Sequence, residues 1–96
     1  MKINSKQRAA LRSMASHEQA IMQVGREGVG PNLVKSVSDA LEARELVKLS
    51  VLETCGTDVR ETAELLASGT GAVVVCTIGR KLVLYRESKD HKRIEL

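Results

Sequence analysis

The sequence predicts an α/β fold in which three helices alternate with four strands, in the order α-β-α-β-α-β-β. Two observations carry this prediction. Apolar residues recur at helical spacing in three segments, and each segment opens with residues typical of a helix start. Short runs rich in valine, isoleucine and leucine lie between and after these segments. Strands separated by helices are expected to be parallel, and a final hairpin makes the sheet mixed.

The first predicted helix runs from about residue 5 to residue 16, with Ser5 as its cap and a narrow apolar stripe that includes Leu11 and Met14. The next segment, A-I-M-Q-V (20–24), is short and apolar, as expected of a strand. It runs directly into G-R-E-G-V-G-P (25–31), which contains three glycines. The first strand is therefore predicted to end in a permissive loop.

The second predicted helix begins at Pro31, because proline is favoured in the first turn, and continues to Arg44. The following segment, L-V-K-L-S-V-L (46–52), has the alternation of a strand. Its residues Val47, Leu49 and Val51 are predicted to share the core face. The polar residues between them predict that the second face is partly open to solvent.

Asp58 is predicted to cap the third helix, which is expected to stop at the glycine-containing segment 68–71. The run A-V-V-V-C-T-I (72–78) follows. Because it is continuously apolar and rich in β-branched residues, we predict a buried strand.

Gly79 and Arg80 are predicted to form a two-residue turn that leads into the last strand, K-L-V-L-Y (81–85). The tail 87–96 is polar and is expected to be loosely held. Neither an internal repeat nor a change of composition divides the chain, so we expect one domain over residues 1–96.

Composition excludes several classes of function. The chain has 96 residues and one aromatic residue, Tyr85, so aromatic platforms for base stacking are excluded. Cys55 and Cys76 lie far apart, and the two histidines add no metal-ligand spacing, which predicts reduced thiols, no metal and no cofactor. No apolar run approaches the ~20 residues that span a membrane, and the first residues do not form a signal peptide.

The net charge of +3 is unevenly distributed along the chain. Residues 1–16 carry four basic and no acidic side chains, whereas residues 17–78 carry five basic and nine acidic ones. Residues 79–96 carry six basic and three acidic side chains. If the two basic ends meet on one face, that face attracts polyanions. Ordinary solvated lysines and arginines are the alternative interpretation.

The motif G-x-x-G lies between a predicted strand and a predicted helix, at Gly25, Arg26, Glu27 and Gly28. Glycines allow the main chain to approach phosphate, and the following helix N-terminus supplies a favourable potential. Arg26 can add a charge-assisted contact, and a loop of this form clamps the nucleic-acid backbone in KH modules. The spacing matches neither the dinucleotide fingerprint nor the Walker A motif. An ordinary turn remains the alternative.

Four segments taken together resemble a known family. They are S-K-Q-R-A-A-L-R-S-M-A (5–15), I-M-Q-V-G-R-E-G-V (21–29), D-A-L-E-A-R-E-L-V-K-L (39–49) and I-G-R-K-L-V-L-Y-R (78–86). In this order they resemble the CRM domain, named for chloroplast RNA splicing and ribosome maturation, and the chain is similar to its stand-alone bacterial version. The resemblance implies a two-layer α/β fold with a mixed four-stranded sheet, similar to the C-terminal domain of translation initiation factor three.

The same resemblance implies an RNA-binding protein that acts in assembly of the large ribosomal subunit. Its expected partners are ribosomal RNA, including the precursor of that subunit, and ribosomal proteins. We expect a cytoplasmic monomer that does not associate with membranes. The residues that the resemblance assigns to RNA contact are Gly25, Arg26, Glu27 and Gly28 in the loop, Lys6, Arg8 and Arg12 in the first segment, and Arg80 and Lys81 in the hairpin.

A second hypothesis is a protein-interaction factor that docks on a ribosomal protein or an assembly factor without direct RNA contact. The acidic middle of the chain, including Glu53, Glu61 and Glu64, would serve such docking. Catalysis is disfavoured, because the sequence shows no nucleophile–base pair, carboxylate dyad or set of metal ligands, and no catalytic residue is predicted.

Overall fold

The computed structural model describes residues 2–96 and contains three helices and four strands in the predicted order. These elements are α1 (Ser5–Ala15), β1 (Met22–Val24), α2 (Pro31–Arg44), β2 (Leu46–Val51), α3 (Val59–Thr70), β3 (Val73–Ile78) and β4 (Lys81–Tyr85). The strand order in the sheet is β1-β2-β4-β3. β1 is parallel to β2, and β4 is antiparallel to both β2 and β3. The predicted α/β class and mixed sheet are confirmed.

Helices cover both faces of the sheet. On one face, α2 and α3 pack over a core that includes Val47 and Leu49 of β2. On the other face, Leu11 of α1 packs with Val83 and Tyr85 of β4. α1 therefore adds a layer to the expected two-layer arrangement. The second face of β2 is partly open to solvent, as predicted, because Lys48 and Ser50 are only half-buried. The apolar stripe of α1 is narrow, and only Leu11 and Ala15 of this helix are buried.

Hydrogen bonds fix both ends of α1. The side chain of Asn4 accepts from the N–H of Gln7 at 2.8 Å, and the side chain of Gln7 accepts from the N–H of Asn4 at 3.0 Å. This reciprocal capping box makes Asn4 the cap and Ser5 the first helical residue, so the predicted cap at Ser5 is wrong by one position. At the other end, Lys48 donates to the carbonyl of Ala15 at 3.3 Å, in addition to the bond that this carbonyl accepts from the N–H of Glu18 at 3.0 Å.

β3 lies at an edge of the sheet, beside β4 alone, and is not the buried strand that its composition predicted. Only Val75 among its six residues is buried. The register shifts between Val74 and Cys76, so Val75 is an inserted residue that turns with Cys76 toward α1. The central position belongs to β4, in which every residue from Leu82 to Tyr85 is buried.

Gly69 allows α2 and α3 to approach each other closely. α3 continues through Gly69 and ends at Gly71, which has a φ of 76° in the left-handed region. A Cβ atom added to Gly69 would lie 3.2 Å from both methyl carbons of Val34 on α2. The helix therefore ends within the predicted segment 68–71, at Gly71, whereas Gly69 is a packing residue inside the helix.

The tail beyond β4 is held by two carboxylates of α2, contrary to the expectation that it is loose. Glu45, the C-cap of α2, is fully buried and has a φ of 66°. Its carboxylate accepts hydrogen bonds from the N–H groups of Ser88, Arg93 and Ile94 at distances of 2.8, 2.5 and 2.8 Å. Glu42 accepts from the Ser88 hydroxyl. A hydrophobic pattern contains no sign of such contacts, because main-chain N–H groups of the tail make them.

We predict that Gly69→Ala leaves the free energy of unfolding almost unchanged in the native background but stabilises a Val34→Ala variant. Alanine is favoured over glycine inside a helix by about 1 kcal/mol. In the native protein, the contact of the new methyl group with Val34 offsets this gain. Urea unfolding of the two single variants and the double variant measures the coupling. Equal stabilisation in both backgrounds would contradict the close approach of the two helices.

We also predict that Glu45 links stability to pH. Burial acts to raise the pKa of its carboxyl, but the three N–H donors outweigh burial and hold the pKa below its ordinary value. Because the folded-state pKa is depressed, this stabilisation is present above the unfolded pKa of about 4.3 and is lost as pH falls through the folded pKa.

Glu45→Gln is expected to lower the free energy of unfolding at pH 7 by about 2 kcal/mol, since hydrogen bonds to a charged group are lost. The difference from the native protein should shrink as pH is lowered below 4. Glu95→Gln, which alters an exposed carboxylate of the same tail, is the control and should behave as native protein. Urea unfolding across pH gives the result, and a deficit of equal size at pH 7 and pH 3 would refute the role of the ionised carboxylate.

Candidate nucleic-acid interface

The loop between β1 and α2 is a tight turn that leads into the start of a helix. The N–H of Gly28 donates to the carbonyl of Gly25 at 2.9 Å, which places Arg26 and Glu27 at the tip of the turn. Gly30 is the N-cap of α2 and has no side chain to accept from the first helical N–H groups. The helix therefore begins with donors that its own cap leaves unsatisfied.

The fold itself requires glycine at only one of the three glycine positions in this loop. Gly28 has a φ of 67°, a conformation that other residues rarely adopt. A Cβ atom on Gly25 would make an ordinary contact with Leu52, at 3.6 Å, and one on Gly30 would meet nothing within 4 Å. The packing of the protein therefore does not require glycine at Gly25 or Gly30, and the lack of side chains there leaves the main chain accessible.

Main-chain donors are also free in this loop. The N–H groups of Arg26, Glu27 and Val29 donate to no acceptor within the described range 2–96. Unpaired N–H groups at a turn, followed by a helix N-terminus, carry partial positive charge and suit an anion. The loop thus combines steric access with hydrogen-bond donors.

Three loops meet at one end of the sheet, which we term the loop end. β1, β2 and β3 run in the same direction, so the glycine loop, the segment 52–58 and the β3–β4 hairpin all follow strand ends there. The N–H of Leu52 donates to the carbonyl of Val24 at 2.8 Å. The Arg80 guanidinium donates to the carbonyls of Val51 and Leu52, each at 2.7 Å. These bonds tie the hairpin to the strand that flanks the glycine loop.

Four of the predicted basic residues are exposed at the loop end, namely Arg80, whose bonds are given above, and the three that follow. Arg26 lies at the tip of the turn, Lys81 begins β4, and Arg12 of α1 borders the same hollow as Ile78, the last residue of β3. None of the three forms an ion pair with any residue from 2 to 96. Their charges are therefore available to a bound anion.

The other predicted basic residues are placed differently. Arg8 donates through Nη1 to the carbonyls of Val74 and Val75, both at 2.6 Å, and so attaches α1 to the bulged edge strand. Lys6 is exposed on the outward side of α1, away from its buried face. The structure therefore gathers the glycine loop, Arg12, Arg80 and Lys81 at one end, and leaves Lys6 outside this group.

Two apolar residues at the loop end were missing from the predicted site. Leu52 is 38% exposed and Ile78 is 57% exposed. The sequence places Leu52 on the partly open face of its predicted strand and Ile78 in a run that is predicted to be buried. Leu52 instead follows the last residue of β2, and Ile78 ends an edge strand. The apolar pattern alone contains no signal that separates such end positions from core positions.

A hydrogen-bonded network fixes the segment that follows β2. Cys55 is buried, and its sulfur lies 3.3 Å from the hydroxyl of Thr57. Hydrogen bonds from the hydroxyl and the N–H of Thr57 lower the pKa of this thiol. The Thr57 hydroxyl also lies 2.6 Å from that of Thr62, at the start of α3. The network keeps Leu52 in place, since the N–H of Cys55 donates to its carbonyl at 3.0 Å.

Residues 2–96 give no support for a disulfide, a metal site or a membrane-spanning helix. Both cysteines are free thiols, and burial raises the pKa of Cys76. No group of histidine, cysteine and acidic side chains in this range is placed to hold a metal ion. Likewise, none of its helices combines the length and the apolar character needed to cross a bilayer.

Comparison with known proteins gives three relatives named for RNA binding. The chain is 49% identical over 94 residues to the "Probable RNA-binding protein YqeI" of Bacillus subtilis, with 98% of each chain covered. It is 34% identical over 94 residues to an "RNA-binding protein" of Haemophilus influenzae, covering 94% of this chain and 91% of that one. It is 32% identical over 94 residues to the "Probable RNA-binding protein MJ0652" of Methanocaldococcus jannaschii, covering 96% of this chain and 69% of that one.

A solved structure has the same fold. The solution structure of the hypothetical protein SAV1595 from Staphylococcus aureus, a candidate RNA-binding protein, matches with a TM-score of 0.83 and 42% identity, and 99% of each chain is covered. The family described as the CRS1 / YhbY (CRM) domain matches residues 3–86. This match spans all seven helices and strands. The chain therefore belongs to the CRS1/YhbY (CRM) domain family.

Proposed function

We propose that this protein binds RNA by seating the sugar–phosphate backbone on the glycine loop and the surrounding cations of the loop end. The observation that carries the proposal is the glycine loop itself. Gly25 and Gly30 have no side chain at positions where the fold would accept one, and they flank free N–H groups before and at the start of α2. A phosphate oxygen needs this combination of access and donors.

The charges at the loop end favour the same ligand. Arg26 is placed to make a charge-assisted bond to a phosphate held by the turn. Arg12 and Lys81 extend the positive surface toward the hairpin, and the guanidinium of Arg80 keeps its charge while it binds main-chain carbonyls. Glu27 is exposed at the tip, so its carboxylate is free to turn away from phosphate.

The nine residues assigned to RNA contact take different roles in this proposal. The main chain of Gly25, Arg26, Glu27 and Gly28 contacts phosphate directly, and the side chains of Arg12 and Lys81 contact phosphates farther along the strand. Arg80 and Arg8 position the hairpin and the edge strand. Lys6 contacts only an RNA long enough to pass along the outside of α1.

We further propose that the RNA is ribosomal and that the protein acts in assembly of the large ribosomal subunit in the cytoplasm. RNA binding as such is supported by the names of the three relatives. The ribosomal target rests on the resemblance of the whole chain to the stand-alone bacterial CRM proteins. Phosphate contacts position a protein on RNA without reading its sequence, so such a factor recognises a folded particle by shape.

Removing Arg26 and Lys81 should weaken RNA binding in a manner that depends on salt. Each phosphate contact on a single strand contributes about −0.7 to the slope of log affinity against log salt concentration. The variant Arg26→Ala/Lys81→Ala should therefore reduce the slope by about 1.4. Fluorescence anisotropy with a labelled fragment of large-subunit ribosomal RNA, over a salt series, measures this slope.

Lys35→Ala is the matched control for this measurement. Lys35 is an exposed lysine of α2 that pairs with Asp39 at 3.1 Å. Its removal should leave the salt slope as in the native protein. Binding that is independent of salt, or an unaltered slope in the double variant, would rule out phosphate contact at the loop end.

In cells, crosslinking followed by sequencing of the attached RNA should concentrate reads in large-subunit ribosomal RNA, and the protein should sediment with precursors of that subunit. The Arg26→Ala/Lys81→Ala variant should lose both signals. Reads spread evenly over messenger RNA would refute the ribosomal target. Sedimentation that survives nuclease treatment would instead favour docking on a protein.

A further inference from the structure

We propose that a hollow between α1 and the end of β3 receives an unpaired nucleobase, so that the RNA at the loop end is bound as a single strand. Ala9, Arg12, Ser13, Ser16 and Ile78 line this hollow, which we term the α1–β3 hollow. The inference rests on the proposed RNA-binding function and deepens it by naming the class of RNA.

The shape of the hollow suits a flat ring. Ala9, Ser13 and Ser16 lie on successive turns along one flank of α1, and their short side chains leave a volume of about 440 Å³ in front of Ile78. Ile78 is 57% exposed, more than any other large apolar residue within 2–96. Its side chain provides an exposed apolar wall.

The chemistry of the wall and rim matches a base. An aliphatic side chain packs against the face of a nucleobase, and a guanidinium stacks on its π system. Arg12 supplies this guanidinium at the rim of the hollow. Aromatic stacking is absent here, since the single aromatic residue, Tyr85, is buried on the sheet face beneath α1. Ile78 and Arg12 together therefore replace the aromatic platform of other RNA-binding surfaces.

The charge around the hollow selects nucleic acid over a protein segment. α1 carries no acidic residue between Ser5 and Ala15. Arg12 on the helix and Lys81 after the hairpin turn flank Ile78, and both cations lack an ion-pair partner among residues 2–96. A bound base brings a phosphate on either side, which these two cations can contact. An apolar protein partner would leave both of them without a counter-charge.

The hollow is within reach of a strand held by the glycine loop. Gly25 follows β1 and Ile78 ends β3, which are the two outer strands of the order β1-β2-β4-β3. Three spacings of about 4.8 Å separate these strands, or about 14 Å in all. A stacked single strand advances about 3.4 Å per nucleotide and covers this distance in about four nucleotides. Leu52, Arg80 and Lys81 lie along the way.

A duplex would fit this surface less well. Its bases are stacked inside, and turning one out costs a few kilocalories per mole. A single strand can place a base in the α1–β3 hollow without breaking pairs. The glycine loop would then hold the backbone while the hollow distinguishes unpaired from paired RNA.

Ile78→Ser tests the hollow, with Leu65→Ser as the matched control. Leu65 is 47% exposed on α3, on the opposite face of the sheet. The probes are a labelled ten-nucleotide RNA and a duplex of the same sequence. Ile78→Ser should weaken binding of the ten-nucleotide strand about tenfold without changing the salt slope, because the lost contact is apolar. Binding of the duplex should not change, and Leu65→Ser should match the native protein throughout.

Failure of this inference can be distinguished from failure of the proposed function. If the native protein binds none of the probes, or binds them independently of salt, the proposed function fails. If native binding depends on salt but Ile78→Ser equals Leu65→Ser, the hollow takes no base and only the inference is overturned. An equal loss for strand and duplex would also overturn it. A second arm uses native protein and RNA carrying 5-iodouridine, whose crosslink should map to Ile78 or to residues 9–16. A crosslink confined to other segments would refute the hollow even if Ile78→Ser fails to fold.

Discussion

The arrangement of the candidate site depends on the insertion of β4 between β2 and β3. β4 is antiparallel to both neighbours, so β2 and β3 point the same way, and β1 runs parallel to β2. Three strands therefore finish at the loop end, while helices and connections return the chain to the opposite end of the sheet. Because β4 is buried from Leu82 to Tyr85, this position is secured by apolar packing on both faces. The meeting of the glycine loop, the 52–58 segment and the hairpin follows from this one strand.

The basic side chains on this side of the molecule fall into two groups: some bind main-chain carbonyls, and the others make no bond to any residue from 2 to 96. Arg8, Arg80 and Lys48 each donate to main-chain carbonyls. A carbonyl is neutral, so each of these side chains keeps its full charge and still contributes to the positive potential. Arg12 and Arg26 add charge without a structural bond. The carbonyl-bound cations therefore make the surface rigid, and the unbonded ones are available to contact a ligand.

Much of the fold could be predicted from the sequence. The order of elements and the position of the glycine loop follow from periodicity and from glycine and proline positions, all of which are local signals. The edge position of β3 could not be predicted, because a run such as A-V-V-V-C-T-I (72–78) is equally typical of a central strand. β3 and β4 compete for the central position in the sheet. Which of the two takes it depends on packing across the whole sheet.

The candidate site shows the same division between local and distant information. Gly25 to Gly28 could be identified from spacing alone. Arg80 was identified as a contact residue, but its bonds to the carbonyls of Val51 and Leu52 depend on a pairing 28 residues distant in sequence. The tail shows the limit most clearly. Glu45 binds N–H groups that every residue but proline possesses, so no side-chain pattern marks its partners.

In the proposed binding mode, recognition follows from what the surface lacks. No aromatic platform is present, and few unpaired cations lie at the loop end, so neither base stacking nor charge alone would supply strong binding. Selectivity in this mode would come from geometry, namely a phosphate site after β1 and an apolar hollow at the end of β3, on strands that lie about 14 Å apart. An RNA satisfies both only where an unpaired segment of the right length is held open. A protein that binds in this way would release its RNA when the open segment pairs or becomes buried, because the hollow would then lose its base.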